Sequence, residues 1–165
     1  MKVREAKDAD DARLASFDPG LDLSQPWALE VAEMIDTLWA WQSSSVPEAE
    51  VEDRRLLIAE DRGVVVAVLA HQLLLSDAGV PFAGHRYIRL VAVDARYRRD
   101  GYAASLMEHV LTELQVAGVS TVSWLVHPAN QASYLFCEAT FGHVAEMTQP
   151  ADEKPYMRYI LSLND

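Results

Sequence analysis

The sequence predicts an α/β (α+β) domain with a mixed sheet, and three observations carry that prediction. Half of the 165 residues are apolar, enough to bury one sizeable core. Strand-like apolar runs alternate with apolar stripes of helical period, giving the order β-α-α-β-β-β-α-β-α-β-β. No internal repeat, low-complexity tract or linker interrupts that order, so residues 1–165 are expected to form a single domain.

Val3 to Ala6 reads as a first strand. Asp8 is placed as an N-cap, with Asp11 at the third helical position supporting a first helical segment to about Ser16. Asp18-Pro19-Gly20 breaks it. Ser24-Gln25-Pro26 opens the next helix, with proline tolerated in the first turn. Trp27, Val31, Met34, Ile35 and Leu38 recur at helical spacing, which extends that helix to about Trp41. Gln42 to Val51, rich in Ser and Glu, reads as a loop.

Leu56 to Glu60 and Val64 to Leu75 are two strands joined through Asp61-Arg62-Gly63, a short hairpin connection. Ser76 to Gly79 and Pro81 to Gly84 mark a loop, and His85 to Val93 is a strand whose second half is apolar on both parities, as in a central strand. After Gly101, the stripe Ala103, Leu106, Met107, Val110 and Leu114 predicts a long helix that Gly118 ends. Ser120 to Val126 is the next strand, stopped by Pro128. Asn130 to Ala139 is a short helix, and Gly142 to Met147 and Tyr156 to Leu161 complete the strands.

Acidic residues outnumber Lys and Arg by 25 to 14, for a net charge of −11, which argues against a nucleic-acid partner. No segment approaches the roughly 18 uninterrupted apolar residues of a membrane span. Met1 to Ala6 lacks the apolar core of a signal peptide, and a single cysteine, Cys137, fits a reducing cytoplasm. A cytoplasmic protein without a membrane partner and without a metal site is the expectation.

Within this acidic chain, Val93 to Ala104 forms a basic island: the end of a buried strand, a short loop with Arg96, Arg98 and Arg99, and a helix start. Backbone N–H groups at the positive end of a helix dipole suit a phosphate or pyrophosphate. Gly101 and Ala103 keep bulk away where a ligand would come close, and the three arginines can pair with phosphate oxygens. A bound polyanion explains the island most simply.

The segment Arg98-Arg99-Asp100-Gly101-Tyr102-Ala103 also reproduces the acyl-CoA signature of the GCN5-related N-acetyltransferases: Gln or Arg, two residues, Gly, one residue, Gly or Ala. Val93 closing the strand, Tyr97 before the arginine and Leu106 on the helix fit as well. From Val3 to Leu161 the chain resembles this GNAT family. The resemblance implies a mostly antiparallel mixed sheet with a splayed central strand pair and flanking helices. It implies that acetyl-CoA is the acyl donor and an amine the acceptor, with direct transfer in a ternary complex, and homodimers are common among such proteins. Main-chain groups of Val91 and Val93 would pair with the pantetheine arm. Amides from Arg99 through Asp100, Gly101 and Tyr102 to Ala103 and Ala104 would hold the pyrophosphate, with Arg98 among the cofactor-binding residues, and Asn130 would contact the cofactor.

The pattern departs from the family at three places. His85 to Leu90 holds no carboxylate where many relatives carry a glutamate base. Phe136 stands at the position of the tyrosine proposed as general acid, and Thr140 replaces the glycine before Phe141. Tyr134, two residues earlier, is the candidate displaced acid, with a packing role as its alternative. His127 is the candidate base, since imidazole titrates in the useful range; an ordinary loop histidine is the alternative. His71 and His85 are further candidate bases. Asn130 also suits a helix N-cap. Cys137 reads as a small buried residue, and Glu30, Glu33 and Asp36 as a solvated helix face. The alternative function is a non-catalytic acyl-CoA-binding regulatory domain, motivated by the missing tyrosine and glutamate.

Overall fold

The structure is a computed structural model that describes residues 1–42, 52–150 and 155–164. Past Gln42, the loop expected up to Val51 lies outside the described residues. Seven strands form one sheet in the order β1-β2-β3-β4-β5-β7-β6, comprising β1 (Lys2–Glu5), β2 (Arg55–Asp61), β3 (Val64–Leu75), β4 (Pro81–Val93), β5 (Thr121–Val126), β6 (Glu146–Thr148) and β7 (Met157–Ser162). Every neighbouring pair is antiparallel except β4 with β5. The helices are α1 (Asp11–Ala15), α2 (Pro26–Trp39), α3 (Tyr102–Val116) and α4 (Gln131–Phe141).

The two faces of the sheet carry separate cores. On one, Leu106, Met107, Val110 and Leu114 of α3 and Cys137 and Phe141 of α4 meet Val66, Leu69, Ile88, Val122 and Trp124. On the other, Leu14, Phe17, Ile35 and Leu38 cover Leu56, Ile58, Val68, Ala70 and Leu90. The period-3.6 stripes of α2 and α3 therefore face the sheet, as the sequence pattern requires. Truncating a fully buried residue such as Leu106 to Ala would cost about 2–5 kcal/mol.

A bulge explains why β4 is apolar on both parities. Ala70 pairs with Leu90 while His71 pairs with Ile88, which leaves Arg89 as an extra residue. Ile88 consequently points into the α3 core and Leu90, two residues on, into the α2 core.

Four expected boundaries are corrected. Pro81 to Gly84 are strand, because β3 is long enough to carry the hairpin outward and Leu75 pairs with Pro81. The segment from Asp8 is a 3-10 turn, Asp8–Asp10, before α1. Its N-cap is Lys7, whose N–H is accepted at 2.9 Å by the carboxylate of Asp10, the third residue of the turn, itself held by Arg4. Residues 142–145 form a turn, with the Val144 and Ala145 amides donating to the Phe141 carbonyl, so only Glu146–Thr148 joins the sheet there. The α-helix from Pro26 stops at Trp39 and tightens into the 3-10 turn Ala40–Gln42.

Candidate functional site

The basic loop is held from behind by one buried carboxylate. Asp94 is fully buried; its Oδ1 accepts the Arg96 backbone N–H at 3.0 Å and the Arg96 Nε at 2.8 Å. Its Oδ2 accepts Arg96 Nη2 at 2.8 Å and the Asp18 amide at 3.1 Å. These bonds, the Arg96 guanidinium first among them, hold the Asp94 carboxyl far below the usual carboxylate range. Arg96 thus folds the loop through Asp94, while its side chain stays exposed. Arg98 is drawn back, its guanidinium donating to the Pro19 and Gly20 carbonyls. Arg99 and Asp100 are exposed.

What the loop leaves forward is backbone. Arg99 and Gly101 both take positive φ, 72° and 78°, and Gly101 is the N-cap of α3 with no side chain capping the helix. The N–H groups of the first helical turn therefore have no intrahelical partner. A Cβ built on Gly101 meets no atom within 4 Å, so the space before those donors is open. The first turn is fixed at its rear by the Tyr102 hydroxyl, which donates to Asp61 Oδ2 at 2.7 Å. A concave set of unpaired amides at a helix N-terminus is the arrangement a pyrophosphate requires.

Beside this loop the parallel strands part. The β4–β5 ladder runs from His85↔Thr121 to Ile88↔Trp124 and stops at the bulge, while β4 continues to Val93 and β5 to Val126. Val91 and Val93 pair with Leu69 and Ala67 of β3 on one side, and on the other no described strand lies against them. The unpaired edge of β4 leads straight into the loop.

Across the gap, the end of β5 and the start of α4 bring side chains. Asn130 caps α4, its Oδ1 accepting the Ser133 amide at 3.3 Å, which leaves its amide hydrogens to another acceptor. His127 Nδ1 accepts the Ala129 N–H at 3.1 Å, so the neutral ring carries its hydrogen on Nε2. The ring is held between Trp27, with centroids 6.4 Å apart, and Tyr156, edge-on at 5.2 Å. Tyr134 is half-buried against the α3-side core, and Phe136 packs edge-to-face on Phe141. Cys137 is buried, its sulfur accepts the Trp124 indole N–H, and burial pushes its thiol up. His85 pairs with Thr121 at the end of the β4–β5 ladder remote from the loop, while His71 pairs with Ile88, the last rung before the bulge.

Tyr156, for which the sequence predicts no site role, belongs to this neighbourhood with Glu30. The Tyr156 hydroxyl donates to Glu30 Oε2 at 2.8 Å, and burial with that carboxylate pushes Tyr156 up to about 12. Glu30 and Glu33 are exposed, as a solvated face requires, yet both line a cavity of about 320 Å³ with Trp41, Gln72 and Arg89, the bulge residue. The Trp27 and Trp41 indole N–H groups are buried without a partner among the described residues. No local spacing announces this grouping, because α2, β3, β4 and the approach to β7 each supply part of it.

A model of the acetyltransferase (GNAT) family matches residues 21–143. A search of curated proteins by sequence finds no match. Among solved structures, the ribosomal-protein-S18-alanine N-acetyltransferase from Escherichia coli is 17% identical, with 99% of this chain and 94% of that one covered at a TM-score of 0.63. The GNAT domain of S. lividans PAT is 18% identical, covering 97% and 89%, at 0.66. The PaiA N-acetyltransferase from Thermoplasma acidophilum, solved in complex with coenzyme A, is 10% identical, covering 98% of each chain, at 0.67. At these identities the structures share the fold, and the family match over residues 21–143 shows that the chain belongs to the GNAT acetyltransferases.

Proposed function

We propose that the protein is an N-acyltransferase that moves an acetyl group from acetyl-CoA to a primary amine by direct transfer in a ternary complex. The observation that carries this reading is the uncapped N-terminus of α3 behind an open, left-handed Gly101, beside the unpaired edge of β4. In this assignment the amides from Arg99 to Ala104 hold the pyrophosphate, main-chain groups of Val91 and Val93 hold the pantetheine arm, and the Asn130 amide adds a contact. Bound acetyl-CoA supplies an activated thioester acyl group. The acceptor amine occupies the cavity lined by the carboxylates of Glu30, Glu33 and Glu52 and the guanidinium groups of Arg54 and Arg89; with Glu52 paired to Arg54, Glu30 and Glu33 face Arg89 and leave a net negative balance for a cation. His127 takes the amine proton at Nε2, on the tautomer that gives up the Ala129 bond, and the Tyr134 hydroxyl gives a proton to the leaving sulfur. The acceptor approaches from the α2 face and the acyl donor from the α3 face, so the parted strands are where the two meet.

A second reading, a non-catalytic acyl-CoA-binding domain, is favoured by Phe136, a ring without a proton packed on Phe141 where relatives place a tyrosine. Calorimetric titration with acetyl-CoA, followed by a free-thiol assay against a panel of amines, separates the two. Binding with amine-dependent thiol release is the expected result. Binding without release from any amine selects the second reading, and absence of binding overturns both.

A further inference from the structure

A cavity of about 600 Å³ lies remote from the loop. It opens between the C-terminal part of α3 and the sheet, at Gly84, His85 and Arg86 where β4 begins to pair with β5. The loop lies at the other end of both elements, roughly 20 Å away along a helix of 15 residues. The volume falls within the range of small-molecule pockets, about 300–1,000 Å³.

Its floor is a buried polar network. Arg86 is 4% exposed and His71 6%. The Arg86 guanidinium donates from Nη1 to Asp53 Oδ2 at 2.8 Å, from Nη2 to the Asp53 carbonyl at 2.7 Å, and from Nε and Nη2 to His71 Nδ1 at 3.1 and 2.8 Å. A guanidinium only donates, so His71 Nδ1 must be a bare acceptor and the ring hydrogen sits on Nε2. That Nε2–H bonds to no described residue while the side chain lines the cavity. One Nη1 hydrogen of Arg86 is also left over, since four of its five N–H groups serve these four contacts.

The acceptors around the cavity are, by contrast, engaged. Asp53 binds Arg86 and Arg55, and Glu5 binds Arg55 at 2.7 Å. Glu113 lies 3.3 Å from His109. At the end of α3 the Leu114 and Gln115 carbonyls accept the Val119 and Gly118 amides, a helix stop that Gly118 permits at φ 83°. Leu57, Leu73 and Leu114 complete the walls. The cleft has spare buried donors, satisfied acceptors and an apolar lining, and at His71 the two guanidinium charges of Arg86 and Arg55 outweigh Asp53.

We propose that this cleft is a second small-molecule site, separate from the acyl-CoA loop, that takes a small carboxylate with an apolar body. Its carboxylate accepts from His71 Nε2 and Arg86 while its apolar part lies against Leu57, Leu73 and Leu114.

The test uses phenylacetate as the probe and phenylacetamide as its uncharged counterpart, followed by imidazole ¹⁵N shifts and chemical-shift mapping on the full chain. The expected result is saturable phenylacetate binding that moves the His71 Nε2 signal, persists with saturating acetyl-CoA, and exceeds phenylacetamide affinity several-fold. Ala117→Trp, which starts from an exposed position on the rim, should weaken it at least tenfold, and so should His71→Leu. Should His71→Leu fail to fold, because it strips Arg86 of an acceptor, Ala117→Trp with an unchanged melting transition carries the test. Displacement by acetyl-CoA, equal affinity for the amide, binding untouched by Ala117→Trp, or no binding would each overturn the proposal.

Discussion

On the β4 side of the gap between the parallel strands, the donors that face outward belong to the backbone. The side chains there work behind them: Asp94 and Arg96 lock the turn, and Arg98 ties it to Pro19 and Gly20. On the β5 side the arrangement is reversed. His127, Asn130 and Tyr134 present side chains; Asn130 is set by capping its own helix, whereas His127 is held by Trp27 and Tyr156 from other elements and Tyr134 by the core it packs on. A site made of backbone is fixed by local φ and ψ, whereas a site made of side chains is fixed by tertiary packing. The β4 side should therefore fail sharply at single positions and the β5 side should fail by degrees.

The largest effect is expected at Gly101. Gly101→Glu places a carboxylate in the open space before the helix N-terminus, and acetyl-CoA affinity should fall about 1,000-fold, or about 4 kcal/mol. Gly101→Ala adds only left-handed strain of about 1–2 kcal/mol, because a Cβ there touches nothing. Its affinity should stay within about threefold of the wild type. Calorimetry on both variants with parallel thermal melts separates occlusion from strain. Equal losses in the two would mean that the loop collapses rather than being blocked.

Tyr134→Phe comes next. A general acid contributes about 100-fold or more, so turnover should drop by roughly that factor while acetyl-CoA affinity stays unchanged. Phe136→Tyr is its complement: with that ring packed on Phe141, the added hydroxyl should leave turnover within about twofold. Thiol-release kinetics check both, and an unaltered rate in Tyr134→Phe removes that residue from the mechanism.

The same contrast decides what could be read in the chain. Strand, loop and helix around Gly101 are successive in sequence, so the donor cradle was legible from one dozen residues. Element order was legible for the same reason, since each amphipathic period is local. The part Arg96 plays in holding the loop was not, because it rests on Asp94 being buried and on the Asp18 amide that shares that carboxylate. Pro81 to Gly84 looked like a loop because turn-formers dominate it, and the long reach of β3 overrode them. The grouping of Glu30 with Tyr156 joins residues 126 positions apart, and no periodicity encodes that.

Asp94→Asn tests the lock behind the cradle. It replaces a buried carboxylate that accepts two backbone amides and a guanidinium, and should cost about 2–3 kcal/mol of stability by denaturant unfolding. Because the folded carboxyl lies below its unfolded value, its contribution is present above about pH 4 and is lost as pH falls further. The variant should lack that acid limb of the stability curve. A stability–pH profile parallel to the wild type would mean that Asp94 is not the group holding the turn.

His71 gives the smallest effect and belongs to neither side of the gap. Burial, then the Arg86 charge, push it down to about 3, so it stays neutral in the folded chain. An unfolded histidine titrates near 6.5. Between those values the unfolded state binds the additional proton, so stability falls as pH drops through about 6.5, by up to about 1.4 kcal/mol per pH unit. His71→Asn keeps an acceptor for Arg86 but cannot titrate. Between pH 7 and pH 5 the wild type should lose roughly 2 kcal/mol more stability than His71→Asn, measured by urea unfolding at each pH. Equal losses in the two would mean that His71 accepts a proton without leaving its place beside Arg86, which two guanidinium hydrogens aimed at Nδ1 do not allow.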